Sequence, residues 1–159
     1  MLNRVLQPRS IFLAILILAG FLRFYQLQDT PPGLFGDEAW NGLDAQSLLE
    51  GQLQALPVFF EANNGREPLF IYLEAIGIAL LGNTTTALRY VSAVIGLLTV
   101  ASMYWVAREL LPGGWRGRGW ALLAMVALAT LYWHLNFSRI AFRAILLPLF
   151  ELWGLYFFW

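Results

Sequence analysis

Residues 88–107 read LRYVSAVIGLLTVASMYWVA, and this apolar run decides the fold class that the sequence predicts. A helix needs about 20 apolar residues to cross the roughly 30 Å hydrocarbon core of a bilayer, and this run is long enough. Arg108, Arg116 and Arg118 follow it. Because arginine clusters next to membrane spans prefer the cytoplasmic side, the run predicts a transmembrane helix whose far end faces the cytoplasm.

The composition agrees with a membrane protein and excludes several kinds of chemistry. Hydrophobic residues make up 59% of the 159 residues and charged residues 13%, whereas an average soluble domain is about half apolar and a quarter charged. All ten cations are arginines, cysteine is absent, and His134 is the only histidine. Disulfide frameworks, zinc fingers and lysine catalysis are therefore excluded. The net charge of zero says nothing about partners, and we predict no nucleic-acid partner.

Three further apolar runs complete the predicted bundle, at residues 10–27, 119–135 and 145–159. Arg4 and Arg9 precede the first run and predict a cytoplasmic N-terminus, and Arg23 is expected to reach the outer interface from its far end. A cleaved signal peptide is the alternative, but no small-x-small cleavage site follows the run. We predict an all-α integral membrane protein, a single multi-pass module over residues 1–159 with about four transmembrane helices.

Residues 28–86 are predicted to form an acidic external loop, because they contain eight of the ten acidic residues. EAWNGLDAQSLLEG, at 38–51, is amphipathic and predicts a helix on the membrane surface. Its wet face consists of Asn41, Asp44, Gln46 and Glu50. EPLFIYLEAIGIALLG, at 67–82, has a proline at the helix-start position 68 and a glycine at position 82, where a helix ends. A helix of that length reaches only about 22 Å. If it crossed the membrane, the arginine cluster after residue 107 would fall outside, so we favour an interfacial helix over a span.

Two charged segments share the external side in this topology. In PPGLFGDEAWNG, residues 31–42, Asp37 and Glu38 follow a Pro/Gly turn, and in NFSRIAFR, residues 136–143, Arg139 and Arg143 lie against the positive-inside trend. Outer cations of this kind are candidates for anion binding. The structural alternative for the acids is a helix start, with Asp37 as the N-cap and Glu38 at the positive end of the helix dipole.

Four segments in this order carry a resemblance to a known family. They are the pattern P-x-G-L-x-x-D-E-A ending at Ala39, REPLFIYL at 66–73, LRYVSAVIGLLTV at 88–100 and SRIAFR at 138–143. Together they resemble the N-terminal portion of polytopic GT-C glycosyltransferases, especially the protein O-mannosyltransferase and lipid A aminoarabinose transferase group. Relatives continue through more spans, so we expect the chain to be incomplete at its C-terminus. Where the family usually has His-Pro-Pro or Lys-Pro-Pro, Arg66 takes the place of the cation and Glu67 replaces a proline.

The resemblance implies transfer of a sugar from a polyprenyl-phosphate carrier to an acceptor hydroxyl at the external face of a membrane, expected to be the plasma (inner) membrane of a prokaryote. It implies Asp37 as the catalytic base with Glu38 beside it, and Arg66, Arg139 and Arg143 as ligands of the donor phosphate. Carboxylates would suit Mg or Mn, but Ala144 stands where relatives often have a second acid. We therefore predict no metal and no cofactor.

A noncatalytic role is the alternative interpretation. A truncated descendant of such a transferase would serve as a transmembrane subunit of a larger complex, packing through its apolar helices and not needing Asp37. A transporter fragment is less favoured, because most of the conspicuous charges lie in loops and not at mid-membrane. Glu151, within the last apolar run, is either a functional residue or a polar contact inside the bundle.

Overall fold

The computed structural model of the chain describes residues 7–53, 56–111, 113 and 115–159, without the side chains of residues 115 and 116. The predicted all-α class is confirmed. The described residues form seven α-helices: α1 Pro8–Phe24, α2 Gly36–Leu49, α3 Pro68–Leu81, α4 Thr85–Leu110, α5 Trp115–Thr130, α6 Tyr132–Phe137 and α7 Leu146–Phe158. One turn of 3-10 helix, Arg143–Ile145, leads into α7.

Helix α4 is the centre of the molecule, and it contains the run 88–107 with three more residues at each end. The hydroxyl of Thr84 caps its first turn by accepting a hydrogen bond from the Ala87 N–H at 3.1 Å. In the described part of the chain, α4 is the one helix long and apolar enough to cross a membrane, with a mean hydropathy of 1.7. The finding is weak evidence for a membrane protein, because the core helix of a soluble protein passes the same test and 56% of this stretch is buried.

The other predicted spans form shorter helices. Helices α1, α5 and α7 have 17, 16 and 13 residues, which correspond to about 20 to 26 Å each. The run 119–135 is divided, because Leu131 takes an extended conformation (φ −61°, ψ 119°) between α5 and α6. One described helix therefore has the length of a span, and the four-span arrangement remains a proposal.

Helices α1, α5 and α7 pack along α4 and bury a core of small and medium side chains. The rings of Phe12 and Tyr104 lie 5.0 Å apart, and the Trp153 indole donates to the Ser102 hydroxyl at 3.1 Å. The core between α1, α4 and α5 consists of Ile15, Ala19, Val100, Tyr104, Ala107, Ala121, Met125 and Ala129. The alanines allow these helix backbones to approach closely.

Arg23 shows how tightly this bundle is packed, and it corrects one prediction. Its side chain is fully buried and does not reach an outer interface. The guanidinium donates to the Ala19 and Ala129 carbonyls at 3.0 and 3.2 Å, and it lies 2.9 Å from Nδ1 of His134. An arginine has no acceptor atom, so His134 accepts at Nδ1. Arg23 thus joins α1 to α5 and α6 from inside the protein.

Helices α2 and α3 pack on the first half of α4 and on each other. The predicted helix at 67–82 is confirmed, with Pro68 as its first residue and Gly82 (φ 86°) after its last. The predicted helix at 38–51 is also confirmed, beginning two residues earlier at Gly36. Their shared core consists of Ala45, Phe60, Ile71, Ala75, Ile78, Leu88 and Ala141.

The orientation of α2 differs from the simple amphipathic prediction. Its apolar side chains Trp40 and Leu43 are exposed, while Asn41 is buried against the protein. The predicted wet face is therefore wrong for Asn41, because tertiary hydrogen bonds have replaced water. Glu50, in contrast, is exposed as predicted.

Candidate functional site

Glu38 lies at the centre of a buried ion pair. Its side chain is completely buried, and its Oε1 accepts from Nε of Arg89 at 3.0 Å and from the Ala141 N–H at 2.8 Å. Its Oε2 accepts from the Phe35 N–H at 2.8 Å and from Nη2 of Arg89 at 3.3 Å. The carboxylate therefore joins the start of α2, the start of α4 and the segment before α7.

Arg89, the partner of Glu38, is only 1% exposed and extends the same network. Its guanidinium also donates to the carbonyls of Leu27 (3.3 Å), Pro31 (2.8 Å) and Gly33. These bonds fix the segment that leads from α1 into α2. Arg89 was not predicted as a site residue, although an arginine inside a predicted span needs a partner and could have been recognised on that ground.

Asp37 has a different environment from its neighbour. It is half-buried, and its Oδ1 accepts a hydrogen bond from the Asn63 side-chain amide at 2.6 Å. Its other carboxylate oxygen accepts no hydrogen bond from any described residue, and no described cation forms an ion pair with it. The carboxylate is thus oriented by one donor and remains open on one side.

The N-cap alternative for Asp37 is wrong. Helix α2 begins at Gly36 with Phe35 as its N-cap, so Asp37 already lies within the first turn. Glu38 accepts the Phe35 N–H instead, in the way that a carboxylate at the third helical position often does. The stabilisation of the helix start therefore belongs to Glu38 and leaves Asp37 without a capping bond.

A tight turn brings Asn63 to Asp37. Phe60 and Arg66 exchange two backbone hydrogen bonds, of 3.0 and 2.8 Å, which close the turn. At its tip Asn63 and Gly65 have φ values of 50° and 84°, a left-handed conformation that asparagine and glycine tolerate best. A Cβ at Gly65 would lie 2.3 Å from the Phe59 ring, so the close approach also requires glycine.

Arg66 lies inside the protein and not at an open surface. Its side chain is completely buried, and it donates to Oδ1 of Asn41 at 2.6 Å and to the Ala62 carbonyl at 3.2 Å. It also forms an ion pair with Asp44, whose side chain is 20% exposed. In this arrangement its donors hold the turn 60–66 against α2 and none points to an external phosphate.

Arg139 caps the end of α1. Its Nη1 donates to the carbonyls of Leu22 and Arg23 at 2.8 and 3.2 Å, and its Nη2 donates to those of Tyr25 and Thr30 at 2.8 and 2.9 Å. A cation at the carbonyl end of a helix is favoured by the helix dipole. Partial burial lowers the pKa of Arg139, but an arginine remains charged in proteins.

Arg143, the third predicted phosphate ligand, is partly exposed. Its side chain is 34% exposed, and its Nε lies 3.2 Å from Oε2 of Glu67, which is itself 77% exposed. Such a surface ion pair is weak and easily exchanged for another anion. Because Ala141, two residues earlier, bonds to Glu38, Arg143 belongs to the same region as the two acids.

The structure therefore brings the five predicted site residues to one end of the bundle but gives them different surroundings. Glu38 and Arg66 are fully buried, and the partly exposed Arg139 donates to four backbone carbonyls. Asp37 and Arg143 are also partly exposed, and each side chain has one polar partner among the described residues. Beside them lies a recess of about 240 Å³, lined by residues 31–35 with Glu38, Arg89 and Ile140. This recess is smaller than most small-molecule sites, which have about 300 to 1,000 Å³.

Glu74, on α3, is a further buried acid near this region. Neither of its carboxylate oxygens has a hydrogen-bond partner among the described residues, and its side chain is completely buried. Desolvation, reinforced by the charge of Glu38 and opposed by that of Arg66, raises the pKa of Glu74 to about 9. The group is therefore a neutral acid at pH 7. In the part of the chain that the structure describes, no cluster of three or more metal-ligating side chains occurs.

Comparison with known proteins adds no relative to this description. No family model matches the chain, and neither a curated protein nor a solved structure matches it. The resemblance to GT-C glycosyltransferases accordingly rests on the four segments of the sequence.

Proposed function

We propose that the chain is a portion of a membrane glycosyltransferase that transfers a sugar from a polyprenyl-phosphate carrier to an acceptor hydroxyl at the external face. One observation carries the proposal. The two adjacent acids are separated in role, with Glu38 occupied by structural bonds and Asp37 oriented, half-buried and open. A carboxylate held in this way suits a general base.

The surface of the bundle supports its insertion in a membrane. The outer sides of the helices expose large apolar side chains, among them Ile17, Phe21, Leu98, Trp105, Trp120, Leu123, Phe150 and Phe157. Soluble monomers rarely expose contiguous apolar patches of more than a few hundred Å². We propose α1, α4, α5 and α7 as the four spans, with the N-terminus in the cytoplasm and α2 and α3 in the external interface.

The chemistry assigns separate tasks to the accessible residues. Asp37 accepts the proton of the acceptor hydroxyl while the hydroxyl oxygen attacks the anomeric carbon of the sugar. Asn63 holds the Asp37 carboxylate in orientation. Arg143 exchanges Glu67 for the phosphate of the departing carrier, to which a guanidinium can donate two parallel hydrogen bonds. Arg66 and Arg139 act as positioning residues. The isoprenoid tail remains in hydrocarbon while the sugar is in water, so the reaction belongs at the interface.

A noncatalytic transmembrane subunit is the second candidate, and α7 favours it. No residue of α7 is buried within the chain, and Leu155, Phe157 and Phe158 are 55%, 79% and 91% exposed. If the chain is a noncatalytic subunit, another membrane protein would cover this face of α7. If the chain is part of a transferase, lipid or further spans of the transferase would cover it.

The test is transfer of radiolabelled sugar from a series of polyprenyl-phosphate donors in reconstituted membranes, using this chain and any longer natural product that contains it. Asp37→Asn should lower the rate at least about 100-fold, which is a typical contribution of a general base. Asp29→Asn is the matched control, because Asp29 is an exposed aspartate of the same loop. Equal rates in both variants, or no transfer from any donor, would favour the subunit.

A further inference from the structure

A cavity lies at the other end of the bundle from Asp37. It has a volume of about 750 Å³ and lies where α1 begins, α4 ends and α5 begins. Its charged lining consists of Arg9, Arg108 and Arg118, and its aromatic lining of Phe12, Tyr104 and Trp105. This volume is typical of a site for a small organic ligand.

The three arginines give the cavity an uncompensated positive charge. Each is exposed, and none forms an ion pair with a described carboxylate. Glu109 follows Arg108 in the chain but does not line the cavity. The Arg108 guanidinium lies 5.8 Å from the centre of the Trp105 ring, so an aromatic face helps to position it.

The aromatic side chains form an apolar wall next to these charges. The ring of Phe12 lies 5.0 Å from that of Tyr104 and 6.2 Å from that of Trp105, and the last two rings are 5.5 Å apart. Leu13, 55% exposed, continues the wall along α1. The cavity therefore combines anion donors with a surface for hydrocarbon, and the ligand that matches both is a phosphate ester with an apolar chain.

We infer that this cavity binds the phosphate of an anionic lipid headgroup, with the acyl chain along Phe12 and Leu13. Arginine matches phosphate through two parallel hydrogen bonds, and the starts of α1 and α5 at the same end add a favourable dipole. A free phosphate offers the same headgroup chemistry. The choice of lipid rests on the membrane insertion proposed above, but the site does not depend on sugar transfer.

Native mass spectrometry of the detergent-purified chain tests the site with dioleoyl-phosphatidylglycerol, dioleoyl-phosphatidylcholine and inorganic phosphate. We expect the phosphatidylglycerol to bind at least about fivefold more tightly than the phosphatidylcholine, because the latter's headgroup carries no net charge. Tighter binding of the lipid than of inorganic phosphate identifies a lipid site, and equal binding identifies a site for free phosphate. Equal binding of both lipids overturns the proposal.

Arg108→Gln and Gln28→Glu separate a specific site from general charge attraction. Both lower the net charge by one at an exposed position, but only Arg108 lines the cavity, and Gln28 lies beyond the other end of α1. Arg108→Gln should weaken phosphatidylglycerol binding about fivefold, and Gln28→Glu should leave it unchanged. An equal effect of both variants overturns the proposal. Arg118→Gln is the second variant for the cavity, and failure of both cavity variants to weaken binding also overturns it. Because the readout is lipid binding, its failure leaves the test of sugar transfer through Asp37 unaffected.

Discussion

At the level of single residues, the environments of Asp37 and Glu38 differ because successive side chains of a helix point about 100° apart. Glu38 therefore faces α4 and Arg89, whereas Asp37 faces the turn with Asn63. The ion pair is buried on both sides, with side-chain exposures of 0% and 1%. Removal of one partner would leave an uncompensated charge inside the protein, which is far more costly than loss of a surface ion pair.

Glu38→Gln is therefore expected to destabilise the fold strongly. The amide has the shape of the acid but cannot neutralise Arg89, and breaking a buried pair in this way costs about 3 to 5 kcal/mol. Thermal unfolding in detergent measures the change. Glu61→Gln, an exposed acid of the neighbouring turn, is the matched control and should leave the melting temperature within error. A melting temperature of Glu38→Gln equal to that of the control would contradict the structural role.

Glu74 makes stability depend on pH, in the direction opposite to that of a paired acid. Its pKa is about 9 in the folded chain and near 4.5 when unfolded, so the folded state binds the additional proton. The contribution of Glu74 to the free energy of unfolding is fully present below about pH 4.5, and it is lost as the pH rises from there to about 9. Glu74→Gln, which is neutral at every pH, should therefore stabilise the protein at pH 8 by roughly 1 to 3 kcal/mol.

The measurement is chemical unfolding of the wild-type protein and of Glu74→Gln at several pH values between about 5 and about 9. In this range the folded and unfolded states differ in the protonation of Glu74. The difference between wild type and Glu74→Gln should grow with pH. Glu67→Gln, which changes an exposed acid at the start of the same helix, should show no such trend. A constant difference across the range would mean that Glu74 titrates normally.

At the level of helices, the sequence predicted where helices form better than where they end. Apolar periodicity, Pro68 and Gly82 identified α3 almost to the residue, and the run 88–107 identified α4. The break at Leu131 was not predicted, because no proline or glycine marks it. The polar interior of α2 was also missed, since the partners of Asn41 and Glu38 outside α2 and its N-cap lie 25 to 103 residues away in the chain.

Helix contact at Gly96 provides a test of the bundle itself. A Cβ at Gly96 would lie 2.1 Å from the Ser138 hydroxyl and 3.2 Å from Nε of Arg23, so α4 can approach these residues only without a side chain. Gly96→Ala should destabilise the protein by about 1 to 3 kcal/mol through overpacking.

Gly20→Ala is the matched control for this helix contact, because its nearest neighbour would be a Leu97 methyl at 4.0 Å. Alanine there should be neutral or stabilising, by up to about 1 kcal/mol, since it restricts the unfolded chain. Gly96→Ala should therefore lower the melting temperature, whereas Gly20→Ala should leave it unchanged or raise it. Equal shifts would contradict the packing of α4 against Arg23 and Ser138.

At the level of the whole molecule, the two ends of the bundle carry different chemistry. The acids and their buried partners lie at one end, and the cavity with three accessible arginines lies at the other. The sequence predicted this division through the positive-inside rule. It could not predict which charges are neutralised within the protein, because the Glu38–Arg89 pair depends on how α2 packs on α4.

Single cysteines can report the sidedness of these ends, because the chain contains no cysteine. Asp29→Cys and Leu111→Cys place a thiol at exposed positions of the two ends. In intact cells, a membrane-impermeant maleimide should label Asp29→Cys, and Leu111→Cys only after permeabilisation. Labelling of both thiols in intact cells, or of neither, would contradict the proposed topology.

The division of roles between Asp37 and Glu38 is the central claim, and one paired measurement tests it most directly. Sugar transfer per folded molecule and thermal unfolding are measured side by side for Asp37→Asn and Glu38→Gln in an active preparation. Asp37→Asn should have the wild-type melting temperature but a transfer rate at least about 100-fold lower. Glu38→Gln should have a clearly lower melting temperature. Full transfer by a stably folded Asp37→Asn protein would contradict the account.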